Sequence, residues 1–137
     1  MEIRCEPLDM DRLAAEVGET VRVIQEQAQG ELCVMYGWAY DVENQWEWIP
    51  LPANGLSAFL DDSARKGVYR HGHGDLLIKV PSLSVEVTFC HESDIHVAGE
   101  ANDLMAHIRL RWLRQGIRVW LRKKDGEPWE EAMFADQ

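Results

Sequence analysis

The tightest constraint on the fold comes from residues 76–90. LLIKV (76–80) and LSVEVTFC (83–90) are two β-favouring runs separated only by Pro81 and Ser82. In the second run Val85, Val87 and Phe89 alternate with Ser84, Glu86 and Thr88. That is the period of a strand with one face on a core and the other towards water. Strands joined by so short a link must lie antiparallel, because a parallel crossover takes a dozen or more residues.

Other elements follow from pattern. Leu13, Val17, Val21 and Ile24 recur at three- and four-residue spacing, with Glu16, Glu19, Arg22 and Glu26 off the stripe. The spacing predicts a helix over about 9–28, started by Asp9 and Asp11 and stopped by Gly30. Residues 32–40 predict a mostly buried strand. Residues 41–55, with two prolines and two tryptophans, predict a loop, and 56–66 a short helix. A turn at 70–75 leads into the hairpin, and 94–97 predict a third short strand of that group. A helix over 100–115 and a strand over 117–124 follow, then an acidic tail with Trp129 as an anchor. The expected class is α+β: one domain over 1–137, an antiparallel sheet of about four to five strands, and two to three helices packed on it.

Composition bounds the function. Residues 1–60 carry eleven acidic side chains against three basic ones, whereas the remaining 77 carry thirteen against eleven. The net charge of −10 repels nucleic acid and anionic membrane and attracts a basic protein. Three cysteines without close spacing give no disulfide framework and suit a reducing, cytoplasmic setting. The N-terminal residues lack a secretory pattern, and no apolar run approaches a membrane span.

Four groups of side chains are candidates for chemistry or binding. His71, His73, Cys90 and His91 flank the two ends of the hairpin and can converge at one end of the sheet, with His96 close behind. Such residues suit zinc, although polar loops at a sheet end also carry histidine, and no recognised metal motif is present. Cys90 next to His91 is a poor nucleophile pair, because adjacent strand residues point to opposite faces. Asp75, Lys79, Glu86 and Asp94 fit no nuclease spacing and read best as a mixed-charge solvent face. Arg109, Arg111, Arg114, Arg118, Arg122, Lys123 and Lys124 form a basic run. It suits phosphate, but reads better as facing the acidic first helix across the fold or as part of a mixed surface.

The last group is Tyr36, Trp38, Tyr40, Asp41, Glu43, Trp46, Glu47 and Trp48. Aromatic rings with carboxylates between them suit a protein interface, although the same rings also serve a core. A small acidic α+β chain of this kind resembles, in class, the immunity proteins that neutralise bacterial toxins. That resemblance implies a non-enzymatic inhibitor that occludes a basic toxin or effector. Asp41, Glu43, Trp46, Glu47 and Trp48 are the expected contacts, helped by Glu16, Glu19 and Glu26, with no cofactor. The alternative is a small metal-binding or enzymatic domain built on His71, His73, Cys90, His91 and His96.

Overall fold

In a computed structural model, residues 1–133 are described; the last four residues of the acidic tail lie outside them. The elements in chain order are β1 (Glu2–Cys5), α1 (Met10–Gln27), β2 (Glu31–Tyr36), β3 (Ile49–Pro52), α2 (Leu56–Arg65), β4 (Leu76–Val80), β5 (Val85–Phe89), β6 (Ile95–Gly99), α3 (Asp103–Arg114), β7 (Val119–Arg122) and β8 (Glu130–Ala132). The strands form one sheet in the order β3-β2-β4-β5-β6-β1-β7-β8, with every neighbouring pair antiparallel. Ile3, Leu32, Val34, Ile78, Val87 and Val97 point from the sheet into a core closed by Leu13, Ile24, Leu56, Leu104, Ile108 and Trp112 of the three helices. Among the described residues the opposite face of the sheet carries no helix, and none of its strand side chains is buried.

The helices start where their caps dictate. The Asp9 carboxylate accepts a hydrogen bond from the Arg12 backbone N–H at 2.9 Å, and the Asn102 side chain accepts one from Met105 N–H at 3.0 Å. Each satisfies a donor that the first turn leaves over. Asn102 also donates to the Leu83 carbonyl at 2.7 Å, which ties α3 to the β4–β5 link. The buried stripe of α1 includes Leu13, Val17, Val21 and Ile24, as the spacing predicts.

The α+β class and the three helices match expectation, but the sheet has eight strands rather than four to five. Three strands escape pattern reading for separate reasons. At four residues β1 is too short to show a period, yet it lies inside the sheet between β6 and β7. In β3, Pro50 and Pro52 argue against a strand, but β3 is an edge, where a missing N–H costs no ladder bond. At the other edge β8 has two glutamates, the type of side chain that protects an exposed edge.

Part of the acidic excess is neutralised within the fold. Glu16 on α1 is only 1% exposed, and its carboxylate accepts from Arg111 Nε at 2.8 Å and Nη2 at 2.9 Å. Glu19 pairs with Arg22 and His107, and Glu26 pairs with Arg22. Glu2 pairs with Arg122, and Glu131 with Arg118. Of the basic run of 109–124, Arg111, Arg118 and Arg122 are thus engaged by the protein's own acids.

Candidate functional site on the helix-free face

Strand register arranges the uncovered face into rows. One row runs Met35, Leu77, Thr88, His96, Arg4, Trp120, Glu131. The next runs Cys33, Lys79, Glu86, Ala98, Glu2, Arg122. Beyond the first row the β5–β6 hairpin closes, with Cys90 N–H donating to the Asp94 carbonyl at 3.0 Å and Ser93 N–H to the Cys90 carbonyl at 3.1 Å. Side chains two apart on a strand share a face, so Asp94 and His96 stand together opposite Thr88 and Cys90.

Two polar triplets meet at Cys90. In the first, Asp75 Oδ1 lies 2.8 Å from His91 Nδ1 and accepts the His91 backbone N–H at 2.9 Å. Cys90 Sγ is 3.7 Å from the same ring nitrogen. In the second, His96 Nε2 lies 2.9 Å from Asp94 Oδ2, and its Nδ1 faces Glu2 Oε1 at 3.5 Å. The hydrogen bond to Asp75 raises His91 above the ordinary histidine range. Burial pushes His96 down, but Asp94 and Glu2 outweigh it and hold the ring above its usual value. Burial also works against the Asp94 carboxylate, and His96 reverses it, so the acid stays low.

Neither triplet activates the thiol. A nucleophile relay needs the sulfur on one ring nitrogen and the carboxylate on the other, whereas His91 meets both with Nδ1, and His96 makes no hydrogen bond to Cys90. Burial, followed by the negative charges of Asp94 and Asp75, pushes the thiol up to about 12. A cysteine nucleophile requires the reverse.

His71 and His73 do not join this cluster. His71 Nδ1 bonds the Tyr69 hydroxyl at 2.9 Å, and burial lowers its pKa. His73 lies edge-on to Tyr40. The expected convergence of four residues is thus limited to Cys90 and His91, joined by Asp75, Asp94 and His96. Asp94 and His96 were visible as neighbours in sequence. Glu2 gave no signal, because its place depends on the unrecognised strand β1, and Arg122, though visible in the basic run, could not be set beside it for the same reason.

The aromatic loop borders the same end of this face. Trp38, Trp46 and Trp48 are 54%, 57% and 39% exposed, while Tyr36 and Tyr40 are buried. Trp38 packs against His91 with ring centres 4.4 Å apart and planes tilted by 49°, and Lys79 Nζ lies 5.7 Å over the Trp48 ring. The loop is pinned rather than loose. Gly37 N–H donates to the Asp75 carbonyl at 2.8 Å, Asp75 N–H to the Trp38 carbonyl at 3.0 Å, and Trp46 N–H to the Tyr36 carbonyl at 2.8 Å. Trp46 is held at φ +67°, a conformation that bulky residues seldom adopt. Asp41, Glu43 and Glu47 are exposed, and among the described residues no ion pair involves any of them. At the far side of the face Arg4 lies over both Trp120 and Trp129, at 5.5 and 4.6 Å.

No protein-family model, no curated protein and no solved structure matches this chain. Among the described residues, no helix is long and apolar enough to cross a membrane.

Proposed function

We propose that the protein is a non-enzymatic binding module that grips a basic protein through the 37–48 loop at the rim of its helix-free sheet face. The observation that carries this reading is the grouping of exposed Trp38, Trp46 and Trp48 with the unpaired acids Asp41, Glu43 and Glu47. Large rings left wet on a pinned loop supply hot-spot contacts at little ordering cost. Free carboxylates around them steer a cationic partner and raise its on-rate. Glu16, enclosed by Arg111, is left out of this surface, and Glu19 and Glu26 are already paired on the helix layer.

The mechanism is occlusion, in the manner of an immunity protein covering a bacterial toxin. It operates in a reducing cytoplasm, where Cys5, Cys33 and Cys90 stay free. The test is affinity capture from cells that express the protein, run in parallel with wild type and with a Glu43→Lys/Glu47→Lys variant. Wild type is expected to retain a basic protein that reconstitutes one-to-one from purified components, that the variant loses, and that high salt releases. Equal retention by both chains, or binding indifferent to salt, rejects the reading.

A further inference from the structure

We propose that Cys90, Asp94 and His96 form a three-ligand site for a divalent transition metal of the zinc class, at the closed end of the β5–β6 hairpin. This site is independent of the aromatic loop's binding role. Its three donor atoms lie within 4.8 Å of one another, and the hairpin register fixes them there. Cys90 and Asp94 face each other across the turn, and His96 follows on the same side of β6.

Three observations point to a ligand rather than to a self-contained hydrogen-bonded pair. The Asp94 side chain is 95% buried, being 5% exposed, yet among the described residues its Oδ1 has no hydrogen-bond partner. A buried carboxylate oxygen left unsatisfied is costly and calls for a partner. The Cys90 thiol lies close enough for it and this carboxylate to shift each other's titration, but among the described residues no contact to Oδ1 has hydrogen-bond geometry.

The second observation is the support behind His96. Glu2 Oε1 faces Nδ1, and Arg122 fixes Glu2 by donating Nε and Nη2 to Oε2 at 3.0 and 2.8 Å. A carboxylate on one ring nitrogen, turning the other towards the metal, is the usual support of a ligating histidine. The third is the donor chemistry and access. Sulfur, nitrogen and one carboxylate together select zinc or cobalt over magnesium or calcium. A groove of about 430 Å³ opens beside Cys90 and His96, between Glu2, Asp75 and Glu86, and leaves room for a fourth, exogenous ligand.

The test titrates Co(II), then Zn(II), into the full chain after chelator treatment. We expect one metal per chain and a near-ultraviolet thiolate-to-cobalt band that zinc abolishes. Cys90→Ser should remove the band, and Asp94→Asn and His96→Gln should each weaken binding by about tenfold or more. Glu2→Gln should weaken it less. Cys33→Ser on the same face, and His71→Ala with His73→Ala, should leave binding unchanged. Circular dichroism of each variant checks folding. Should Cys90→Ser fail to fold, retention of full affinity by His96→Gln still overturns the site. Absence of the cobalt band in wild type, or a band that follows Cys5 or Cys33, overturns it as well.

Discussion

Gly99 and Gly18 show how one residue type is required at one position and merely tolerated at another. Gly99 sits at φ +142°, and a Cβ there would lie 2.1 Å from the Ser84 carbonyl oxygen and 2.9 Å from Val85 Cα. Backbone cannot move aside as a side chain can, so Gly99→Ala should cost about 3 kcal/mol or more. Gly18 lies within α1, with nothing inside 4 Å of a built Cβ. Gly18→Ala should stabilise by about 0.5–1 kcal/mol, the helix-propensity difference. Thermal unfolding reads both, and shifts of the same sign would refute the assignment. The Glu16–Arg111 pair gives a second residue-scale test through its asymmetry. Glu16 is enclosed, whereas the Arg111 side chain is 34% exposed. Removing the arginine leaves a buried carboxylate with only the neutral Gln115 amide, 3.3 Å away; removing the acid leaves a cation that water can reach. Arg111→Ala should therefore cost roughly 3 kcal/mol and Glu16→Gln nearer 1. Chemical denaturation that ranks them the other way contradicts the burial argument.

At the scale of elements, α1 and α3 are clasped by Glu19, which accepts from Arg22 and lies 2.8 Å from His107 Nε2. The bond from Arg22, with help from His107, outweighs burial and lowers the carboxyl from 4.5 to about 2. Because the folded value is depressed, this contribution is complete above about pH 4.5 and is lost as pH falls towards 2. Glu19→Gln should flatten the acid limb of stability against pH within that window, as measured by thermal melts, and should leave its shape above pH 5 nearly unchanged. An unaltered acid limb would mean that the Glu19 pairs, chiefly the one with Arg22 on the same helix, add nothing.

The same helices were the most legible elements in the sequence. Four apolar residues at helical spacing are enough to mark α1, and the alternation from Val85 to Phe89 marks β5. The inserted strand β1 and the edge β8 were hidden because so few residues show no alternation of their own, and the edge β3 because Pro50 and Pro52 argue against a strand. That gap carried through to the candidate site. Asp94 and His96 are two apart on one strand and legible as a pair, but Glu2 and Arg122 reach them only through β1. The exposure of Trp46 and Trp48 was open in sequence, since such rings serve cores and interfaces alike.

For the molecule as a whole, a division of labour follows from the layering. On the helix layer, Glu16, Glu19 and Glu26 are paired with arginines. The helix-free face keeps unpaired acids and wet tryptophans at one end, with Cys90, Asp94 and His96 beside them. On the proposed reading, Asp41, Glu43 and Glu47 are the part of the −10 charge that meets a basic partner beside exposed tryptophans. The most direct measurement is the dissociation constant of the captured basic protein against variants of the two faces, at fixed salt. Trp46→Ala and Glu43→Lys/Glu47→Lys should each weaken binding by at least about tenfold, near 1.4 kcal/mol. Glu26→Lys on α1 should stay within about twofold of wild type, as a peripheral charge on another face would. Full affinity in the loop variants, with loss in Glu26→Lys, would place the working surface on the helices and contradict the account.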